Sequence, residues 1–300
     1  MSKSSKRPNL FLIGAPKCGS SALSYYLSQH PEIAVSAIKE TQFFCTDLNL
    51  PRPRSEAEYL SLFAPTAKTK YLLDSSILYM YSKRAAANIA DYATQPKFLA
   101  ILRNPVEATY AWHSQMTYTS NEPISDFEAA LAAEASRRKD VDIPKFGTAA
   151  QCPELLYYSE VMRFGEQLER FISLFGRDQI HVVIYDDFKN DLAASLAKVY
   201  EFLDVDRTVR PSLEKVGPNK IRRYPRAHAV LKRTLARPMR AILPAHLRLR
   251  LILAFDRVTS VEGARSPLKP ETASHLKDVF RKDVERLSVL IGRDVSHWCA

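Results

Sequence analysis

Four short apolar runs punctuate the chain: NLFLIG at 9–14, KYLLD at 70–74, KFLAIL at 97–102 and QIHVVIY at 179–185. Each is about as long as a strand and none alternates strictly, so each is expected to be buried on both faces. Between them, at 20–29, 83–92, 105–118, 155–175 and 191–203, apolar residues recur at the spacing of a helix packed on one side. Strands alternating with helices predict an α/β fold, a mainly parallel β-sheet flanked by helices. A last helix is expected over about 269–291. The stretch from 120 to 153, richer in Pro, Ala and polar residues, reads as an insertion over the sheet. No repeat interrupts the chain, so one domain over 1–300 is expected, its part from about 222 onward basic and helical.

Composition narrows the partners more than the fold. Apolar residues make up 46% and charged ones 25%, the mix of an ordinary globular protein. A formal net charge of +10 favours anionic partners without choosing among nucleotides, sulfated molecules, nucleic acid and acidic membranes. Cys18, Cys45, Cys152 and Cys299 show no paired spacing, which argues against a disulfide framework or a zinc site and for free thiols in a reducing compartment. The apolar run after the basic start ends at Gly14, too early for a signal peptide, and no stretch approaches the roughly 18 apolar residues of a membrane span. A cytoplasmic location is the expectation.

Parallel sheets bind ligands at the carboxyl ends of their strands, and two loops fall there: Gly14–Ser21 and Arg103–Pro105. The first, GAPKCGSS, has the Gly-x-x-x-x-Gly spacing of a phosphate loop, with backbone N–H groups, a helix start and two serine hydroxyls to receive an anion. Its lysine, however, precedes the second glycine by two residues, where a nucleoside-triphosphatase loop has Gly-Lys-Ser/Thr. No strand-end aspartate is convincingly placed to hold the magnesium ion that a phosphotransferase normally requires, Asp74 at the end of a strand-like run being the one serious candidate. In the second loop an arginine at a strand end can fork two hydrogen bonds onto a phosphate, and Pro105 suits a first helical position.

Together these stretches resemble the sulfotransferases that use 3′-phosphoadenosine 5′-phosphosulfate (PAPS), in particular their carbohydrate-type and bacterial branch. APKCGSSAL resembles the 5′-phosphosulfate loop and LAILRNPVEATYAW the 3′-phosphate strand and helix, about 85 residues apart. HPEIAVSAIKETQFF, LLYYSEVMRFGEQLERFISLFGRDQIHVVIYDDF, the basic NKIRRYP and the ending LIGRDVSHW extend the likeness over most of the chain. The resemblance implies a P-loop-like sulfotransferase fold, PAPS as co-substrate, no metal, and a carbohydrate, lipid or small-molecule acceptor sulfated on a hydroxyl or amine.

It also assigns roles. Lys17, Cys18, Gly19, Ser20 and Ser21 would hold the 5′-phosphosulfate, with Lys17 stabilising the leaving phosphate. Glu40 occupies the position of the base, beside Phe43 and Phe44, and His113 is the reserve. Arg103 would hold the 3′-phosphate; the family's serine eight residues on is Ala111 here, and Ser114, on the same helix face, is expected to replace it. Lys220, Arg222 and Arg223 would supply further charge, with Ile221 where many relatives have glycine. Tyr71, Tyr79, Tyr81 and Trp112 suit either a core or a ring-stacking surface. Two other classes compete: a nucleoside-triphosphate-dependent kinase, and a non-catalytic protein whose basic segment, Arg222 to Arg257, docks on anionic membranes. No nucleic-acid module is apparent, so no nucleic-acid partner is expected.

Overall fold

The computed structural model describes residues 6–212, 220–222, 260–263 and 265–300. Strands β1 (Leu10–Gly14), β2 (Ile33–Val35), β3 (Tyr71–Ser75), β4 (Lys97–Leu102) and β5 (Ile180–Ile184) form one parallel sheet in the order β2-β3-β1-β4-β5. Every residue of β1 and β3, and all of β4 after Lys97, is buried, as unbroken apolar runs require. From β1 the chain builds outward on one side through β2 and β3, then crosses to β4 and β5 on the other. The carboxyl ends of β1 and β4 therefore flank the point where the order reverses, which is where such sheets open a crevice.

The helices in chain order are α1 (Ser20–Leu27), α2 (Glu56–Leu60), α3 (Ala85–Tyr92), α4 (Pro105–Tyr118), α5 (Phe127–Ala132), α6 (Glu134–Arg137), α7 (Tyr158–Val161), α8 (Phe164–Phe175), α9 (Tyr185–Asn190), α10 (Leu192–Leu203) and α11 (Pro270–Ile291). Two expectations need correction. The helix foreseen over 155–175 is broken into a short 3-10 turn, α7 and α8. Its restart has a distant cause: the Asp283 carboxylate on α11 accepts the Gly165 and Glu166 N–H groups at 2.8 and 2.9 Å, capping α8 from outside. Gly165 lies so close to α11 that a Cβ there would sit 2.4 Å from the Asp283 carbonyl oxygen. The strand foreseen over 179–185 ends at Ile184, and Tyr185 opens α9.

The chain divides into two compact units, one of residues 1–109, 159–216 and 273–300 that carries the sheet, the other of 110–158 and 217–272. The second has its own polar centre. Arg137 and Glu122, both fully buried, pair through two hydrogen bonds of 2.8 and 2.9 Å, and Tyr158 donates to the same carboxylate at 2.7 Å. A buried charge pair persists only with such multiple satisfaction. Here too β6 (Lys220–Arg222) pairs antiparallel with β7 (Ser260–Glu262). Arg223 and the rest of the basic segment to Arg257 lie outside the described residues.

Candidate active site

The glycine-rich loop leaves β1 and is tied to its neighbour β4, Ala15 N–H donating to the Ile101 carbonyl at 2.8 Å. Two residues then take left-handed backbone, Lys17 with φ 60° and Gly19 with φ 101°. For glycine this is free; for lysine it costs on the order of 1 kcal/mol, the kind of local strain that gathers at functional sites. Gly19 also packs against Tyr185, whose ring would stand 3.0 Å from an added Cβ. It is the N-cap of α1, which has neither a side-chain cap nor an acid in its first turn. The positive end of that helix is thus set for an external anion, with the Ser20 and Ser21 hydroxyls beside it. The donor set fits a phosphosulfate.

Cys18 offers only its backbone to the loop. Its thiol is fully buried and donates to the Pro16 carbonyl at 3.3 Å. Burial pushes it up to about 12, against the downward pull of the Arg103 guanidinium and main chain beside it. That same contact shows that the glycine-rich loop and the Arg103 turn meet. Arg103 leaves the end of β4, lays its guanidinium 4.9 Å from the centre of the Tyr185 ring, and donates Nε and Nη2 to Glu107 one turn further on, the Nε bond being 2.9 Å. Tyr185 therefore neighbours both stretches, packing against Gly19 and carrying the Arg103 guanidinium over its ring.

Glu40 reaches this loop through Lys39. The Lys39 ammonium donates to Ser21 Oγ at 2.8 Å, to Glu40 Oε1 at 3.2 Å and to Ser20 Oγ at 3.5 Å. Phe43 stacks on Tyr59 and Phe44 lies tilted against Tyr92, while the Glu40 side chain remains 37% exposed. What holds Glu40 is its backbone. Glu40 and Gln42 both take left-handed angles, φ 63° and 53°, and are pinned by Glu40 N–H to the Ser75 carbonyl at 2.9 Å and Gln42 N–H to Ser76 Oγ at 3.2 Å.

Thr41, between them, is fixed to Asp74. This buried carboxylate accepts four hydroxyls, from Thr41, Tyr59 and Ser76 at 2.8 Å and Tyr79 at 2.7 Å. Burial raises its pKa against the opposing effect of those four bonds. Asp74 is thus an internal anchor of the Glu40 segment, and the magnesium role considered for it is overturned by its enclosure among hydroxyl donors.

Other candidates fall away from chemistry. His113 is buried and its Nε2 donates to the Ile124 carbonyl at 2.9 Å. Tyr71 and Tyr79 are core residues bonded inward, to the Leu203 carbonyl at 2.9 Å and to Asp74, and Trp112 gives its N–H to the Leu155 carbonyl at 2.8 Å. Ser114 lies on the part of α4 that belongs to the second unit and spends its proton on the Tyr110 carbonyl at 3.0 Å. As it stands its oxygen can only accept, which disagrees with the phosphate-donor role expected of it. It lines a cavity of about 390 Å³ with Tyr110, Thr117, Tyr118 and Phe127. Lys220 and Arg222 lie on β6. Among the described residues no cluster of three or more His, Cys, Asp or Glu is arranged to hold a metal, and no helix is long and apolar enough to cross a membrane.

A glycine-rich turn after the first strand, with an arginine at the neighbouring strand end, is an arrangement that can receive an anionic ligand. Residues 7–229 match the sulfotransferase domain model, and the chain belongs to that family, whose members move sulfuryl groups and draw them in general from PAPS. A sulfotransferase from Alicyclobacillus acidocaldarius superposes with a TM-score of 0.73 at 24% identity, covering 98% of this chain and 100% of that one. A mouse sulfotransferase, SULT7A1, solved with PAP, superposes with a TM-score of 0.51 at 13% identity over 95% of this chain and 86% of its own. Human bifunctional heparan sulfate N-deacetylase/N-sulfotransferase 2 is 23% identical over 246 residues, which are 73% of this chain. The chain spans about a quarter of the length of that relative, 26%.

Proposed function

We propose that this protein transfers the sulfuryl group of PAPS to a hydroxyl or amine of a carbohydrate, lipid or small-molecule acceptor. The observation that carries the reading is the meeting of the strained GAPKCGSS loop with Arg103 across β1 and β4, with Glu40 linked to the same loop through Lys39. The donor supplies an SO3 group on a good leaving phosphate. Lys17 and the N–H groups at the start of α1 hold the 5′ end and neutralise the charge that the departing bridging oxygen acquires with its electron pair. Glu40 takes the proton that the acceptor oxygen or nitrogen loses as its new bond to sulfur forms. Arg103 leaves Glu107 to fork onto the 3′-phosphate, which distinguishes this nucleotide from AMP.

Tertiary geometry disfavours the kinase alternative, since Asp74 is enclosed by hydroxyls. Among acceptors, the heparan sulfate relatives favour a sugar, and a relative in Dictyostelium discoideum, 21% identical over 66% of this chain, is named a membrane-associated sulfotransferase. A cytoplasmic location, and membrane contact through the basic segment, stay with this proposal. The test is transfer of labelled sulfate from PAPS to an acceptor panel read by mass, together with calorimetry of PAP and AMP with and without EDTA. Lys17→Ala is expected to lower turnover by about 10²-fold or more. Equal affinity for PAP and AMP, or binding lost to the chelator, refutes the donor assignment.

A further inference from the structure

We propose that Lys39 is a second cation for the sulfuryl end of the donor, held in reserve by Glu40 until the donor arrives. The inference rests on the sulfotransferase reading above and gives Lys39, there only a link between Glu40 and the loop, a part in donor binding. The Lys39 ammonium has three N–H groups, and its three contacts join the two halves of the chemistry: two loop hydroxyls, Ser21 at 2.8 Å and Ser20 at 3.5 Å, and the carboxylate of Glu40 at 3.2 Å. An ammonium bonded to the hydroxyls that line an anion loop already stands beside the place the anion will take. Its side chain is 34% exposed and its four-carbon stem is flexible, so the charge can follow an incoming group over a short distance.

Two consequences follow from charge alone. An arriving phosphosulfate competes with Glu40 for one ammonium, and also claims the Ser20 and Ser21 hydroxyls to which that ammonium is bonded. When Lys39 turns to the donor, Glu40 loses its counter-ion and its carboxylate becomes a stronger acceptor for the proton of the nucleophile. Before the donor is present, the pair keeps Glu40 neutralised and occupied. Base activation is thereby tied to donor binding, and donor precedes acceptor in productive order.

The experiment compares PAPS with PAP, which lacks the sulfuryl group, by calorimetry on the full chain without acceptor. Lys39→Met is expected to weaken PAPS by about ten-fold or more, the loss of one charge-assisted contact, while PAP changes by less than about three-fold. Lys39→Arg, which keeps the charge, restores most of the PAPS affinity. Glu40→Gln, which releases the lysine, is expected to tighten PAPS, and Lys39→Met in that background removes the gain. An unchanged affinity for PAPS in Lys39→Met, an equal loss for PAP and PAPS, or no tightening in Glu40→Gln overturns the proposal. If the parent protein binds neither nucleotide, it is the donor assignment itself that fails, so the two failures are told apart.

Discussion

Asp74 offers a sharp test of how the Glu40 segment is held. Its carboxylate is fully buried, accepts four hydroxyls, and has its pKa raised by burial. Asp74→Asn keeps the shape: its carbonyl oxygen can take the place of Oδ2, which serves Thr41, Tyr59 and Tyr79, and its amide can donate to Ser76 Oγ. It also removes a buried charge, so the net change is expected to lie within about 1 kcal/mol of zero. Asp74→Leu is different. Tyr79 can still donate to Thr41 at 3.1 Å and Thr41 to Ser76 at 3.4 Å, but Ser76 and Tyr59 lose the acceptor they have here. At about 1–3 kcal/mol for each buried hydroxyl left without an acceptor, two such losses give about 2–6 kcal/mol. Urea melts at several pH values measure both variants. An acid whose folded pKa is raised contributes stability below the unfolded value of 3.8 and loses it as pH rises through the folded value, so Asp74→Asn should gain on the parent as pH rises. If the asparagine variant falls as far as the leucine variant, or shows no such trend, the account of this carboxylate is wrong.

Three further outcomes follow from the geometry. Gly165→Ala forces α8 away from the Asp283 carbonyl and is expected to cost about 1–3 kcal/mol in a chemical melt, while the same substitution at the unobstructed Gly292 does so only through its left-handed backbone. His181, whose pKa burial lowers to about 4, stays neutral in the folded protein; stability therefore declines as pH falls from 6.5 toward 4, by up to about 3 kcal/mol, and His181→Gln flattens that slope. Arg103→Ala should weaken PAP by about ten-fold or more and leave AMP nearly unaffected, since AMP lacks the group that the guanidinium forks onto; calorimetry on both nucleotides checks it.

The central strands were legible because burial on both faces writes itself as an unbroken apolar run. KFLAIL and NLFLIG were located to within a residue, and α4 was placed correctly by Pro105. β2 was missed: three residues at a sheet edge, two of them only half-buried, are too few to show a period. The break before α8 has no local signal because its cap comes from Asp283, more than a hundred residues later. In the candidate site, Lys17 and Arg103 were named because the stretches around them resemble the nucleotide loops of the sulfotransferase family; the Arg-Asn-Pro turn is a weak signal by itself. Lys39 and Tyr185 were not. A lysine beside a glutamate looks like a solvated pair, and an aromatic after a strand looks like core; only the fold sets the first against Ser21 and the second beside Gly19 and Arg103.

The cysteine at the centre of the anion loop has a practical use that its chemistry alone would not suggest. Burial pushes the thiol up to about 12, so little of the reactive thiolate is present near neutral pH, and the sulfur is fully buried with its proton on the Pro16 carbonyl. Alkylating reagents and mild oxidants therefore meet Cys18 only in molecules whose loop has come away from β4. Its labelling rate is a clock for loop opening: ligands that lock the loop should slow it, and the protein carries this probe without any engineered residue.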